Sequence, residues 1–110
     1  MTKPVIVAEA ALRELERGAR WYDQQREGLG DELLDNVNAI FEQLPSGTLY
    51  TRPVPGMPNP HVRRVLVERY PYAVIFAETD VAIHVVAIAH LKRRPRYWQG
   101  RLRRVLGSKP

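Results

Sequence analysis

Residues 62–90 read VRRVLVERYPYAVIFAETDVAIHVVAIAH. Three β-type runs, at 62–70, 73–78 and 81–90, are separated by the two-residue links Pro71-Tyr72 and Thr79-Asp80. Links that short cannot carry a parallel crossover, so the pattern predicts an antiparallel meander. The last run is the richest in Val and Ile and is expected to be a central strand. Side chains alternate along a strand. Ile83, Val85, Ala87 and Ala89 are therefore expected on one face, with His84, Val86, Ile88 and His90 on the other. One face is then free to pack on other elements, while the second carries two histidines.

Upstream, residues 45–60 hold Pro45, Pro53, Pro55, Pro58 and Pro60, with Gly47 and Gly56. Proline lacks the N–H that a helix interior or a central strand needs, so this stretch reads as an ordered loop. Before it the period is helical. Ala8, Ala11, Leu12, Leu15, Ala19 and Tyr22 form one stripe, with Glu9, Arg13, Glu14, Glu16, Arg17 and Arg20 expected on the solvent side. Gly28-Leu29-Gly30 breaks this helix near Arg26. Asp31 and Glu32 then favour the positive end of a second helix, whose stripe is Leu33, Leu34, Val37, Ile40, Phe41 and Leu44. Two amphipathic helices on a short link predict an antiparallel hairpin. Val5-Ile6-Val7 reads as a first strand. Downstream, Pro95 suits the start of a short C-terminal helix, with Trp98, Leu102 and Val105 inward and Arg96, Arg101, Arg103 and Arg104 outward. The whole is an α+β chain: a helical hairpin on a small antiparallel sheet, in one domain spanning residues 1–110.

The chain has 110 residues, enough for one core, with 45% apolar and 26% charged residues. It has no cysteine, which excludes disulfides and cysteine-ligated zinc and fits a cytoplasmic protein. No signal peptide is expected, and no apolar run is long enough to span a bilayer. Net charge is +5, unevenly spread. Residues 1–60 carry six Lys/Arg against nine Asp/Glu; residues 61–110 carry eleven against three. Seven of those cations lie at 92–104. A basic C-terminal segment, about 92–110, therefore favours an acidic or polyanionic partner.

Three stretches together resemble the RelE/ParE toxin superfamily of type II toxin–antitoxin systems. They are Trp21-Tyr22-Asp23-Gln24-Gln25-Arg26-Glu27-Gly28-Leu29-Gly30 in the hairpin, Val62 onward through Pro71-Tyr72, and the ending His90, Arg93, Arg94, Pro95, Trp98. The long hairpin motif lies nearer the ParE-like side. That resemblance implies a toxin held inactive by a cognate antitoxin. It implies DNA gyrase as the target if the chain is ParE-like, and ribosome-dependent mRNA cleavage if it is RelE-like. A third reading is an inactive member that only binds its antitoxin. DNA-sequence recognition would belong to the antitoxin. One departure is Arg94, where the family often has an acidic residue that would cap the following helix.

RNA cleavage needs an acid, a base and cations around the phosphate. His90 could serve as acid or base, Arg63, Arg64, Arg69 and Arg93 could neutralise charge, and Tyr97 could stack on a base or share a proton. Against this, Arg63 and Arg64 are adjacent and must point to opposite faces, while Arg69 shares the parity of Arg63. His84 and His90 also fit ordinary structural roles. If the chain is instead a protein inhibitor, contacts are expected from Lys92, Arg93, Arg94, Arg96, Trp98, Arg101, Arg103 and Arg104. No metal or cofactor is expected. The three histidines are scattered, Gly28-x-Gly30 lacks the lysine of a phosphate loop, and Ser46 and Ser108 have no adjacent base.

Overall fold

A sheet that is apolar on both faces must be covered twice, and each cover here comes from a different end of the chain. The computed structural model describes residues 3–107; residues 1–2 and 108–110, including Ser108, lie outside the described residues. The order is β1 (Val5–Val7), α1 (Glu9–Gln25), α2 (Leu29–Gln43), a 3-10 turn (Leu44–Ser46), β2 (Arg52–Pro53), β3 (Val62–Leu66), β4 (Tyr72–Glu78), β5 (Ile83–His90), a second 3-10 turn (Gln99–Arg101) and α3 (Leu102–Leu106). The five strands form one sheet in the order β1-β5-β4-β3-β2. The expected meander is present in β3, β4 and β5, which pair antiparallel. β1 joins β5 in parallel, so the sheet is mixed rather than wholly antiparallel. The hairpin between β1 and the rest supplies the long crossover that a parallel pair needs.

The links are longer than the sequence pattern suggested. β3 ends at Leu66 and β4 starts at Tyr72. Val67 N–H reaches Tyr72 O at 2.9 Å, and Arg69 sits in the intervening turn at φ 72°. β5 also departs from the strict alternation expected of it. Ile75 pairs with Ala87 while Phe76 pairs with Val85, so Val86 is an extra residue in the ladder. Such a bulge reverses the alternation beyond it. Ile83 and Val85 pack toward the helices, and so does Ile88, whereas Val86, Ala87 and Ala89 join the opposite layer. The two histidines are therefore separated. His90 lies edge-on against Tyr72, ring centroids 5.1 Å apart, on the helical side.

The helical layer closes on Leu33, Val37, Val74, Val85 and Ile88, all at most 1% exposed. Its stripe in α1 is turned from the expected one. Leu12 is exposed, whereas Glu14 and Gly18 are buried beside Ala11, Leu15 and Ala19. The hairpin is tight enough to demand glycine at its crossing. A Cβ on Gly30 would lie 2.3 Å from the Ala19 carbonyl oxygen, and its N–H donates to Asp23 Oδ1 at 2.7 Å. Gly28, at φ 96°, makes the left-handed turn into α2. The second layer is formed by Val54 of the proline-rich loop and by Trp98 and Leu102, which cover Ala73, Ile75, Ala87 and Ala89. The C-terminal helix does not start at Pro95; its first α-helical residue is Leu102. Among the described residues no helix is long and apolar enough to cross a membrane.

Candidate functional site

The end of β5 and the segment after it carry most of the candidate residues. The chain turns sharply after His90: its Nδ1 accepts the Lys92 N–H at 3.1 Å, and its carbonyl accepts the Arg93 N–H at 3.0 Å. The imidazole thus caps the turn. Arg93 then lies over the Tyr97 ring, 4.0 Å from its centroid, with Arg101 over the same ring at 5.4 Å. Arg96, at φ 59°, donates from Nη1 to the Pro55 carbonyl at 3.3 Å. Gly56 permits that contact, because a Cβ there would lie 2.4 Å from Arg96 Nη1.

Tyr97 ends at a buried carboxylate that the sequence pattern placed on the solvent side. Its hydroxyl donates to Glu14 Oε2 at 2.6 Å. Arg101 grips the same carboxylate with both terminal nitrogens, Nη1 to Oε1 at 3.1 Å and Nη2 to Oε2 at 3.0 Å. The Ile88 N–H donates to Oε1 at 3.0 Å, and Arg101 Nη1 also donates to the Val86 carbonyl at 2.9 Å. β1 pairs with β5 only as far as Val85. Glu14 and Arg101 therefore occupy the backbone groups of β5 that β1 leaves without a strand partner. Burial pushes the Tyr97 hydroxyl well above the ordinary tyrosine value, and the Glu14 carboxylate raises it further. Tyr97 thus keeps its proton and donates it to Glu14. The signal for Glu14 lay in its place at position 14 of the 11-14-15-18-19 helical stripe, where its charge argued for solvent.

Three cavities adjoin this cluster; the most open, of about 580 Å³, runs from Arg94, Arg96 and Tyr97 along Arg103 and Leu106, and the other two meet at His90 and Arg93. One, of about 290 Å³, is lined by Arg64, His90, Arg93, Arg94, Arg96 and Tyr97 over a floor that includes Val54, Ala73, Ile75, Ala89 and Trp98. The other, of about 380 Å³, lies against α1, between Arg17, Trp21, Tyr22 and Tyr72, and shares His90 and Arg93 with the first. Four of the six candidate nuclease residues thus share one cavity. The other two are elsewhere. Arg63 points to the helical face, its Nε donating to Thr51 Oγ1 at 2.6 Å and its Nη2 to the Thr51 carbonyl at 2.9 Å. Arg69, in the β3–β4 turn, has Nη1 3.4 Å from Glu32 Oε1. The strand parity expected to relate Arg69 to Arg63 does not hold, because β3 ends at Leu66 and Arg69 lies in a turn at φ 72°.

The candidate partner-contacting residues also divide. Lys92, Arg93, Arg94, Arg96, Arg103 and Arg104 are exposed, and among the described residues none of them pairs with a carboxylate. Trp98 is only 3% exposed, and Arg101 is tied to Glu14, so both belong to the body of the domain. No group of His, Cys, Asp and Glu suited to a metal ion occurs among the described residues.

Comparison with known proteins bears on this arrangement. Residues 5–95 match the family model of the ParE toxin of type II toxin–antitoxin systems, parDE. No curated protein sequence matches the chain. In structure, the chain is similar to one from the chromosomal ParDE TA system of P. aeruginosa, with a TM-score of 0.69 at 16% identity. That match covers 83% of this chain and 98% of the other, and it shares the fold of a helical hairpin on a sheet. With residues 5–95 of its 110 matched by the family model, this chain belongs to the ParE toxin family of type II toxin–antitoxin systems.

Proposed function

We propose that this toxin arrests growth as a protein inhibitor of DNA gyrase and is neutralised by a cognate antitoxin. The observation that carries the non-enzymatic reading is how the candidate nuclease groups are engaged. The Tyr97 hydroxyl is held by Glu14, His90 Nδ1 by a backbone N–H, and Arg63 by Thr51. General acid–base chemistry needs groups free to exchange protons with a substrate. Three of the six candidates are thus engaged in holding a strand edge, a turn and a loop, which leaves the arginines Arg64 and Arg93 as cations without a proton-transfer partner beside them. Gyrase as the target follows from the ParE-like resemblance. The exposed cations Lys92, Arg93, Arg94, Arg96, Arg103 and Arg104 form the contact surface, whose charge steers association and sets its salt dependence.

The test is a supercoiling assay with purified toxin, gyrase, relaxed plasmid and ATP, scoring both lost supercoiling and accumulated linear DNA. Inhibition is expected, with His90→Ala retaining it and the double charge reversal Arg103→Glu/Arg104→Glu weakening it. Those two arginines are exposed, so the change leaves the Arg101 clasp and buried Leu102 in place. If folded protein leaves gyrase untouched but cleaves ribosome-bound mRNA, and His90→Ala abolishes that cleavage, the ribonuclease reading replaces this one.

A further inference from the structure

The cavity of about 290 Å³ has an unusual charge balance. Arg64, Arg93, Arg94 and Arg96 all contribute to its lining, and no carboxylate does. Arg64 reaches it from β3, where it pairs with Ile75 on the face opposite the helices. Its Nε is buried and has no hydrogen-bond partner among the described residues. A buried donor without an acceptor is rare in folded proteins, so the Arg64 Nε–H is a donor for which the protein itself, among the described residues, supplies no acceptor. Four arginines line the cavity without a carboxylate, and an oxyanion there would offset that charge and give the Arg64 Nε–H an acceptor. The floor is different in kind. Val54, Ala73, Ile75, Ala89 and Trp98 present apolar surface beneath the arginines. A bare inorganic anion would leave that surface uncovered.

We infer that this cavity receives an acidic segment of the antitoxin, with a large apolar side chain on the floor and neighbouring carboxylates on Arg64, Arg93, Arg94 and Arg96. This rests on the antitoxin being the partner, which family membership supplies, and does not depend on gyrase. Peptide rather than nucleic acid is favoured by the floor: Val54, Ala73, Ile75 and Ala89 suit an aliphatic side chain, while the nearby rings offer no open stacking face, Trp98 being 3% exposed and Tyr97 covered by Arg93. Arg96, fixed on the Pro55 carbonyl, and Arg93, stacked on Tyr97, are already oriented, which lowers the ordering cost of binding.

The test uses the folded toxin and three probes. They are an acetylated, amidated Glu-Leu-Glu tripeptide, the same peptide with Gln for both Glu, and a uridine trinucleotide. The readout is the ¹H–¹⁵N resonance of the Arg64 side-chain Nε–H, with Trp98 fluorescence as a second signal. The Glu peptide is expected to shift Arg64, and the Gln peptide to bind on the order of tenfold more weakly, as expected when charge-assisted hydrogen bonds are lost. Arg64→Met should abolish the response. Arg94→Gln, on the exposed rim, should weaken it several-fold without affecting folding. Equal binding of the Glu and Gln peptides would overturn the inference, because the arginines would then be irrelevant. Tighter binding of the trinucleotide would reassign the cavity to nucleic-acid phosphate. Absence of any shift at Arg64 up to millimolar Glu peptide would also overturn it. A negative gyrase assay would change none of these readings.

Discussion

Replacing Glu14 by alanine is expected to destabilise the domain by about 3 kcal/mol, at the lower end of the range for breaking a buried ion pair. The change strands four donors: the Ile88 N–H, the Tyr97 hydroxyl and two nitrogens of Arg101. The lower end applies because the Arg101 side chain is 30% exposed and can turn toward water, whereas that of Glu14 is 8% exposed. Urea unfolding followed by circular dichroism measures the effect. With a slope of about 2 kcal/mol per molar, typical for a domain of this size, the midpoint should fall by roughly 1.5 M. The exposed Glu9–Arg13 pair provides the contrast within the same helix. Glu9→Ala should change stability by less than about 0.5 kcal/mol, because exposed i,i+4 pairs contribute little. A double-mutant cycle of Glu14→Ala with Arg101→Met should show coupling of about 1–3 kcal/mol, as expected for residues in one network. Coupling within about 0.5 kcal/mol of zero would refute the claim that the carboxylate holds the C-terminal segment to β5.

Three further outcomes follow from the same geometry. A Cβ on Gly18 would lie 2.6 Å from the Tyr72 hydroxyl oxygen, so Gly18→Ala should destabilise by about 1–3 kcal/mol through overpacking. Adding Tyr72→Phe, which removes that oxygen, should restore much of the loss in thermal melts; failure to do so would place the strain elsewhere. Burial, followed by the Glu32 carboxylate 2.7 Å away, pushes the Tyr70 hydroxyl up to about 12. Its contribution to stability is therefore complete below the ordinary tyrosine value of about 10 and is lost as pH rises toward 12. Tyr70→Phe should flatten that alkaline limb in denaturation measured across this range. Gly56→Ala should loosen Arg96 from the Pro55 carbonyl, because a Cβ there would sit 2.4 Å from Arg96 Nη1. The Arg96 side-chain resonances should then lose dispersion while the Trp98 indole signal stays put.

Much of the architecture is legible in local pattern, because local pattern is what builds it. The helical period before Gly28, the glycines at the hairpin and the prolines at 45–60 all act through backbone geometry within a few residues. Each element they predict is present in order. The inversion along β5 was not legible. A bulge at Val86 inserts one residue into an unbroken apolar run, and Val, Ala and Ile suit either face. His90 is therefore on the helical side, a placement its own parity contradicts. The turn holding Arg69 escaped for a related reason, since Val67 to Tyr70 have the composition of a strand while their hydrogen bonds close a turn.

At the site, the division follows charge. The sequence alone determined that the C-terminal half is strongly basic and that Arg63 and Arg64 face opposite ways, because composition and strand alternation are local properties. Tertiary structure alone decided which cations remain available. Arg101 and Arg103 are two residues apart and look alike in a list of charges, yet one is clamped to Glu14 and the other is free of carboxylates among the described residues. Glu14 lies 87 residues from Arg101 and 83 from Tyr97 along the chain. A carboxylate acquires its meaning from partners that distant only after the sheet and helices have closed around it. That closure is what turned a residue assigned to solvent into the anchor of the C-terminal segment.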